Sequence, residues 1–184
     1  RPVRRTVRGP EPSGSALDIP ESDPDSVARQ ILLRKLTAAP RSESELREHL
    51  LARGTPVDVA DRVLSRFVEV GLIDDRAYAE LVVRSKRESS GLSSRALRHE
   101  LRKRGLDRGI VDEVLADCDD DAELATAIRL VERKAPRMSD LPTQVRQRRL
   151  LGMLARKGYG PETAYRAIRE ALPQSPFDEA PATG

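Results

Sequence analysis

The chain has 184 residues with a formal net charge of +3, and 38% of the residues are hydrophobic, 34% are charged and none is Trp. A core this poor in aromatic residues suits small helical layers better than a β-sandwich or a large α/β sheet. The single cysteine, Cys118, excludes a disulfide framework and a cysteine-based zinc site. No apolar run reaches the ~18 residues of a membrane span, and the start lacks the apolar centre of a signal peptide, so we expect a cytoplasmic protein without a membrane partner.

Nine amphipathic helices are predicted between two polar tails, residues 1–25 and 173–184, which we expect to be disordered. The first unit, residues 26–73, contains Ser26–Ala39, Ser42–Arg53 and Pro56–Val70. The second, residues 74–118, contains Asp74–Ser89, Ser93–Arg104 and Asp107–Asp117. The third, residues 119–172, contains Asp120–Ala135, Pro142–Lys157 and Pro161–Leu172. No segment alternates with period two for long enough to indicate a strand.

Capping signals mark several helix starts. Ser42 and Glu45 are spaced as a capping box, in which each side chain accepts a hydrogen bond from the other residue's amide. Asp74-Asp75 and Asp119-Asp120-Asp121 resemble acid pairs for a metal, but carboxylates at these positions more simply cap the helix that follows. We therefore interpret both acidic groups as helix caps.

An internal repeat of roughly fifty residues organises the units. In each, a helix-like stretch ends in a basic residue and a glycine, and leucines precede that glycine by eight and by four positions. The junctions are Arg53-Gly54, Arg104-Gly105 and Lys157-Gly158, and the leucines are Leu46, Leu97 and Leu150, then Leu50, Leu101 and Leu154. Tandem units of this kind build a long surface rather than a catalytic pocket. The predicted fold is all-α: three three-helix repeats in an elongated, curved body with disordered termini.

Basic residues are concentrated in the second and third units. Residues 84–108 hold nine Lys or Arg against three acids, and residues 129–157 hold nine against two. By contrast, residues 42–80 hold nine acids and five bases. We predict that the basic runs contact DNA, or a complex of protein and DNA, through these residues: Arg84, Lys86, Arg87, Arg95, Arg98, Arg102, Lys103, Arg104, Arg146, Arg148, Arg149, Arg156 and Lys157.

The middle helix of the second unit shows the pattern most clearly. Arg95, Arg98 and Arg102 recur at three- and four-residue spacing, so they share one helix face. A guanidinium group offers a planar fork that suits phosphate oxygens. The alternative is a solvated face with intrahelical ion pairs such as Glu100–Lys103 or Glu100–Arg104. With three Tyr and no Trp there is no platform for base stacking, so the expected contact is to the backbone of single- or double-stranded DNA.

Each unit also resembles a three-helix helix-turn-helix domain, whose recognition helix enters the major groove. The third helices argue against sequence readout, because Asp58, Asp61, Asp112 and Glu113 lie on them and phosphate would repel these carboxylates. A sequence-specific transcription factor is therefore the runner-up interpretation.

Nothing in the sequence indicates catalysis. His49 and His99 have no neighbouring ligand set for a metal, and no Ser/His/Asp or Cys/His constellation is present. We expect a protein that is not an enzyme and uses no cofactor.

Three local signatures closely resemble the RecX family of bacterial regulators, over about residues 27–172. They are Arg41-Ser42-Glu43-Ser44-Glu45-Leu46-Arg47-Glu48-His49-Leu50, then Gly71-Leu72-Ile73-Asp74-Asp75-Arg76-Ala77-Tyr78-Ala79, then Arg84-Ser85-Lys86 with Gly91 and Leu97–Leu106. Tyr78 fits the family's Asp-Asp-x-x-Tyr pattern, and we expect it to pack between units.

The resemblance implies a fold of tandem three-helix repeats and a non-enzymatic modulator of RecA recombinase. Such proteins bind the RecA–DNA filament along its groove and suppress strand exchange, ATP hydrolysis and coprotease activity. The expected partners are thus the RecA filament and DNA, and we expect a monomer in solution. A helical adaptor for another basic or nucleoprotein partner stays open as an alternative.

Overall fold

The computed structural model describes residues 23–116 and 119–172, and these residues form nine α-helices and no strand. The helices are α1 (Pro24–Ala38), α2 (Glu43–Ala52), α3 (Val57–Glu69), α4 (Asp75–Ser90), α5 (Ser94–Lys103), α6 (Arg108–Ala116), α7 (Asp120–Lys134), α8 (Thr143–Arg156) and α9 (Pro161–Ala171), with a 3₁₀ turn at Ala135–Met138 after α7. The predicted all-α class is confirmed. Within the described ranges, no helix is long and apolar enough to cross a bilayer.

The first helix begins two residues earlier than predicted, at Pro24 instead of Ser26. Asp23 caps it by accepting the amide hydrogen of Asp25 at 3.3 Å, and Pro24 suits a first-turn position that needs no amide hydrogen. Asp25 in turn accepts two hydrogen bonds from Arg62 of α3, at 2.6 and 3.0 Å, which fixes α1 against α3. The rest of the predicted tails, residues 1–22 and 173–184, and Cys118 lie outside the described residues.

The predicted caps are confirmed. Ser42 and Glu45 form a complete capping box at the start of α2. Asp74 accepts the amide hydrogen of Ala77 at 2.9 Å at the start of α4. Asp119 accepts that of Ala122 at 2.6 Å at the start of α7. Among the described residues, no group of three or more His, Cys, Asp or Glu is arranged to hold a metal ion.

Each repeat has its own hydrophobic core, so the fold has three small cores in place of one large core. The leucines that define the repeat are at most 1% exposed in all three: Leu46 and Leu50, Leu97 and Leu101, Leu150 and Leu154. Each buried leucine contributes about 1.5–3 kcal/mol relative to an exposed one. Three separate cores agree with a linear array of repeats, while the curvature of the body stays a prediction.

The first joint, between repeats one and two, brings the start of α2 against the end of α5. Ser42 Oγ donates to the carbonyl oxygen of Arg104 at 2.6 Å, and the Glu43 amide donates to Asp75 Oδ1 at 2.8 Å. Gly105 has a left-handed φ of +74°, and a Cβ there would overlap the Ser44 side chain. This glycine therefore serves both the helix end and the close approach of two repeats.

The second joint, between repeats two and three, repeats this arrangement with the start of α5 against the end of α8. The Ser93 amide donates to the Lys157 carbonyl oxygen at 3.0 Å, and the Ser94 amide donates to Glu123 Oε2 at 2.9 Å. A Cβ at Gly158 would lie 2.7 Å from Ala96 Cβ and would overlap Ser93 Oγ. The basic-residue–glycine signature thus marks the surface on which the preceding repeat packs.

Candidate nucleic-acid interface

A groove lined by cations crosses the second joint between α4 and α7. It encloses about 410 Å³. Arg87 comes from the end of α4, and Arg129 and Arg133 are four residues apart on α7, so all three reach one opening. Leu130 contributes to an apolar wall, and Glu88 is the one carboxylate among the lining residues. The groove therefore combines a positive rim with an apolar wall.

A second groove, of about 440 Å³, lies within repeat three beside α8. Arg148, Arg149 and Arg156 of α8 line it together with Lys134 from the end of α7. Its apolar lining includes Met138 of the 3₁₀ turn and Met153. No carboxylate is among the lining residues, so no acidic side chain in the wall of the groove neutralises these four cations.

Lys157, at the end of α8, lies near one cation of each groove, Arg133 and Lys134. Its Nζ donates a hydrogen bond to the carbonyl oxygen of Ser90. Burial lowers the pKa of Lys157, and Arg133 and Lys134 lower it further. Arg133 lines the first groove and the adjacent Lys134 lines the second, so the two grooves are neighbours along α7. We call the combined surface the basic tract: Arg87, Arg129, Arg133, Lys134, Arg148, Arg149, Arg156 and Lys157.

The arginine row predicted on α5 is divided among different roles. Arg98 forms an ion pair with Asp112 of α6, while Arg95 and Arg102 are exposed and form no ion pair within the described residues. Arg104 is partly buried in the first joint, with Nη2 at 2.8 Å from Glu100. The predicted Glu100–Arg104 pair is therefore present, whereas Arg98 pairs with a carboxylate of the neighbouring helix.

Arg104 is part of a polar network that holds the first joint together. Its Nη1 donates to the Tyr78 hydroxyl at 2.6 Å and lies 3.6 Å from Glu45 Oε1. The Tyr78 hydroxyl donates to Glu45 Oε2 at 3.2 Å, and the ring is 6% exposed in the core of repeat two. Burial raises the pKa of Tyr78, so the hydroxyl keeps its proton at neutral pH. Tyr78 packs beside the joint, as expected.

The remaining predicted residues are distributed over repeats two and three. Arg84 is exposed on the outer side of α4, and Lys103 is exposed at the end of α5. Lys86 is half-buried and lies near enough to Glu100 to help lower the pKa of that carboxyl, after the larger effect of Arg104. Arg146 is half-buried on α8. The structure brings Arg87, Arg148, Arg149, Arg156 and Lys157 into the basic tract and leaves the others outside it.

Three cations of the basic tract are absent from the predicted contact residues: Arg129, Arg133 and Lys134. The sequence counts them in the second basic run, and the spacing of Arg129 and Arg133 places them on one face of α7. That i, i+4 pair was the available signal. Which face of α7 meets the end of α4 depends on the joint, which sequence spacing does not show.

The acidic third helices are neutralised within their own repeats. In α3, Asp61 forms an ion pair with Arg47 of α2. In α6, Asp112 pairs with Arg98, and Glu113 pairs with Arg76 of α4 at 2.7 Å. Because these ion pairs offset the arginines as well as the carboxylates, α3 and α6 do not present the cationic face that a recognition helix needs.

Fold and site together define a class: tandem three-helix-repeat proteins whose second and third repeats carry a basic surface. Comparison with known proteins identifies the particular family. Models of the first, second and third three-helix domains of RecX match residues 28–67, 74–115 and 121–168. The chain therefore belongs to the RecX family, a family of regulatory proteins.

Similar proteins span most of the chain. Regulatory protein RecX of Streptomyces coelicolor is 44% identical over 159 residues, covering 86% of this chain and 85% of that protein. Regulatory protein RecX of Thermobifida fusca is 46% identical over 161 residues, covering 88% and 85%. The crystal structure of RecX from Lactobacillus salivarius superposes with a TM-score of 0.72 at 23% identity, covering 81% of this chain and 97% of that one, which supports the fold.

Proposed function

We propose that this protein binds RecA nucleoprotein filaments and inhibits the recombinase, ATPase and coprotease activities of RecA. It would thereby modulate recombinational repair and the SOS response. Membership in the RecX family supports the RecA partner. The observation that carries the DNA part of the proposal is the basic tract, whose groove beside α8 has four cations and no carboxylate in its lining.

The contact to DNA is made with phosphates and not with bases. Both grooves are lined by aliphatic and basic side chains, with no aromatic ring among their lining residues. Tyr78 and Tyr159 are buried, so neither can stack on a base. An interface of this kind gives an affinity that falls steeply with salt and does not depend on sequence.

Apart from Arg98, which is paired with Asp112, the predicted contact residues divide into three groups under this proposal. Arg87, Arg148, Arg149 and Arg156 contact phosphate directly, together with Arg129, Arg133 and Lys134. Arg84, Lys86, Arg95, Arg102, Lys103 and Arg146 extend the positive surface at its margins. Arg104 and Lys157 are positioning residues, because each donates a hydrogen bond across or beside a joint.

The test is a titration of the purified protein into RecA on single-stranded DNA while ATP hydrolysis is followed, with binding of the protein to bare DNA as the control. We expect inhibition well below the concentration that coats bare DNA. Inhibition only at DNA-saturating concentrations would show simple competition for phosphate and would contradict a filament-directed mechanism. Absence of any effect on ATP hydrolysis by RecA would instead favour the adaptor alternative. A strong preference for one duplex sequence would favour a transcription factor.

A further inference from the structure

The glycine turn at the end of α2 has the same form as the two turns that the joints cover. Gly54 has a φ of +80°, compared with +74° for Gly105 and +92° for Gly158. The Gly54 amide donates to Leu51 and the Thr55 amide donates to Leu50, which closes the helix end. At Gly105 and Gly158 an added Cβ would strike a serine of the preceding repeat, but at Gly54 nothing described lies within 4 Å.

The backbone at this turn is also open. In the joints, the carbonyl oxygens of Arg104 and Lys157 each accept a hydrogen bond from the serine that begins a neighbouring helix. Within the described residues, the carbonyl oxygen of the equivalent residue, Arg53, accepts none. We call this surface the open socket: Leu51, Arg53, Gly54, Thr55 and Val57.

The open socket is more apolar than its counterpart in repeat two. Leu51 is 39% exposed and Val57 is 59% exposed, whereas the residues in register with them in repeat two are Arg102 and Arg108. Exposed aliphatic side chains beside an uncovered helix end are typical of a surface that a partner covers. This side of repeat one therefore suits a protein contact.

Three cations lie near His49, close to the end of α2. Arg53 and Arg41 are exposed, Lys35 is half-buried, and none of the three forms an ion pair within the described residues. His49 occupies the position of Glu100, which in repeat two neutralises Arg104, and His49 Nε2 is buried without a hydrogen-bond partner. A docking element with a carboxylate would supply the charge that repeat one lacks here.

We propose that the open socket receives the first turn of a helix from the protein part of the filament, and that this turn carries a hydroxyl side chain and a carboxylate. The chemistry is that of the first joint, in which Ser42 reaches the Arg104 carbonyl and Glu45 reaches the Arg104 guanidinium. This inference rests on the proposed function for the identity of the partner.

A helix start fits this site better than a phosphate does. The end of α2 presents carbonyl oxygens and the negative end of a helix dipole, which repel an anion at the backbone and attract the amide hydrogens of another helix start. A helix start with a carboxylate side chain offers amide hydrogens to the carbonyl oxygens of α2 and a negative charge to the cationic side chains.

A second copy of this chain does not fit. The helix start without a neighbouring repeat is that of α8, where Pro142 has no amide hydrogen and makes no side-chain cap. Thr143 and Gln144 follow, with no carboxylate, and Arg146 would approach Arg53. Head-to-tail association would therefore place like charges together, which agrees with the expected monomer.

The test compares Arg53→Glu with Arg66→Glu in binding to RecA filaments on single-stranded DNA. Each change reverses the charge of one exposed arginine near the C-terminal end of a helix in repeat one. The two variants therefore have the same change in net charge and a similar unfavourable interaction with the helix dipole. We expect Arg53→Glu to weaken filament binding about tenfold, whereas Arg66→Glu should change the filament affinity by no more than about twofold. The affinity of either variant for bare DNA should also stay within about twofold of that of the unaltered protein. Circular dichroism on both variants checks that the fold is kept.

Equal filament affinities for the two variants would overturn the inference and leave the proposed function intact. Failure of the unaltered protein to bind filaments would overturn both. A photocrosslinking side chain at Val57 gives an independent readout: a crosslink to RecA is expected, whereas a crosslink to DNA or to a second copy of the chain would overturn the inference.

Discussion

Repeats one and three have the same three-helix fold but distribute charge in opposite ways. In repeat one, arginines form ion pairs with carboxylates of neighbouring helices, as in Arg47–Asp61 and Arg62–Asp25, and aliphatic side chains are exposed. In the described part of repeat three, one ion pair is present, Arg166–Glu170 at 3.6 Å, and the cations of α7 and α8 face open grooves. The fold therefore fixes the positions of the helices, and under the proposed function the pairing of charges determines which repeat attracts phosphate and which attracts protein.

The largest expected difference concerns the glycine turns of the two repeats. Gly54→Ala places a side chain at a positive φ and should lower the free energy of unfolding by about 1 kcal/mol. Gly158→Ala carries the same strain and adds a collision with Ser93 and Ala96, so we expect a loss of about 3 kcal/mol. Denaturant unfolding followed by circular dichroism measures both. Equal losses in the free energy of unfolding would show that the second joint accommodates the added methyl group without a further cost.

A smaller effect, on affinity, tests the contrast between free and paired arginines. Replacing Arg148 and Arg149 together by Ala should weaken binding to single-stranded DNA about tenfold and reduce the slope of log K against log salt by about 1.4, since each lost phosphate contact contributes about 0.7. The matched control replaces Arg47 and Arg62 by Ala in repeat one, where both are tied to carboxylates. A salt titration of DNA anisotropy gives the slopes, and an unchanged slope for the first variant would contradict the assigned role of the basic tract.

Tyr78→Phe tests whether the first joint is purely structural. The change removes the hydroxyl that accepts from Arg104 at 2.6 Å and donates to Glu45 at 3.2 Å. We expect a loss of about 1 kcal/mol in the free energy of unfolding with no change in DNA affinity. Tyr165→Phe, at an exposed position on α9, is the control for loss of a hydroxyl. A marked fall in DNA affinity for Tyr78→Phe would mean that Arg104 contacts DNA after all.

The helices and their caps could be predicted from the sequence because their signals are local. A leucine recurs every third or fourth residue, a serine or aspartate precedes the first turn, and glycine follows the last, all within about four residues. The Glu100–Arg104 pair could be predicted in the same way, but the contacts across the joints could not, since Ser42 and Arg104 are separated by 62 positions and Lys157 and Ser90 by 67. The same limit explains why spacing alone does not show that Arg98 pairs with Asp112 or that Arg129 and Arg133 line a groove with Arg87: these contacts depend on which helices pack together.

The smallest expected effect concerns pH, and it also separates repeat one from repeat three, which contains no histidine. Burial lowers the pKa of His49, with further lowering by Lys35, Arg53 and Arg41. The unfolded chain, with a pKa near 6.5, therefore takes up a proton before the folded protein does as the pH falls, and this uptake favours unfolding. The free energy of unfolding should decrease as the pH falls from about 7.5 to about 5.5, and this decrease should be shallower in His49→Gln. Thermal unfolding across this range measures the slope, with His99→Gln as the control for loss of an exposed imidazole; a His49→Gln slope equal to that of the unaltered protein would rule out the imidazole as its source.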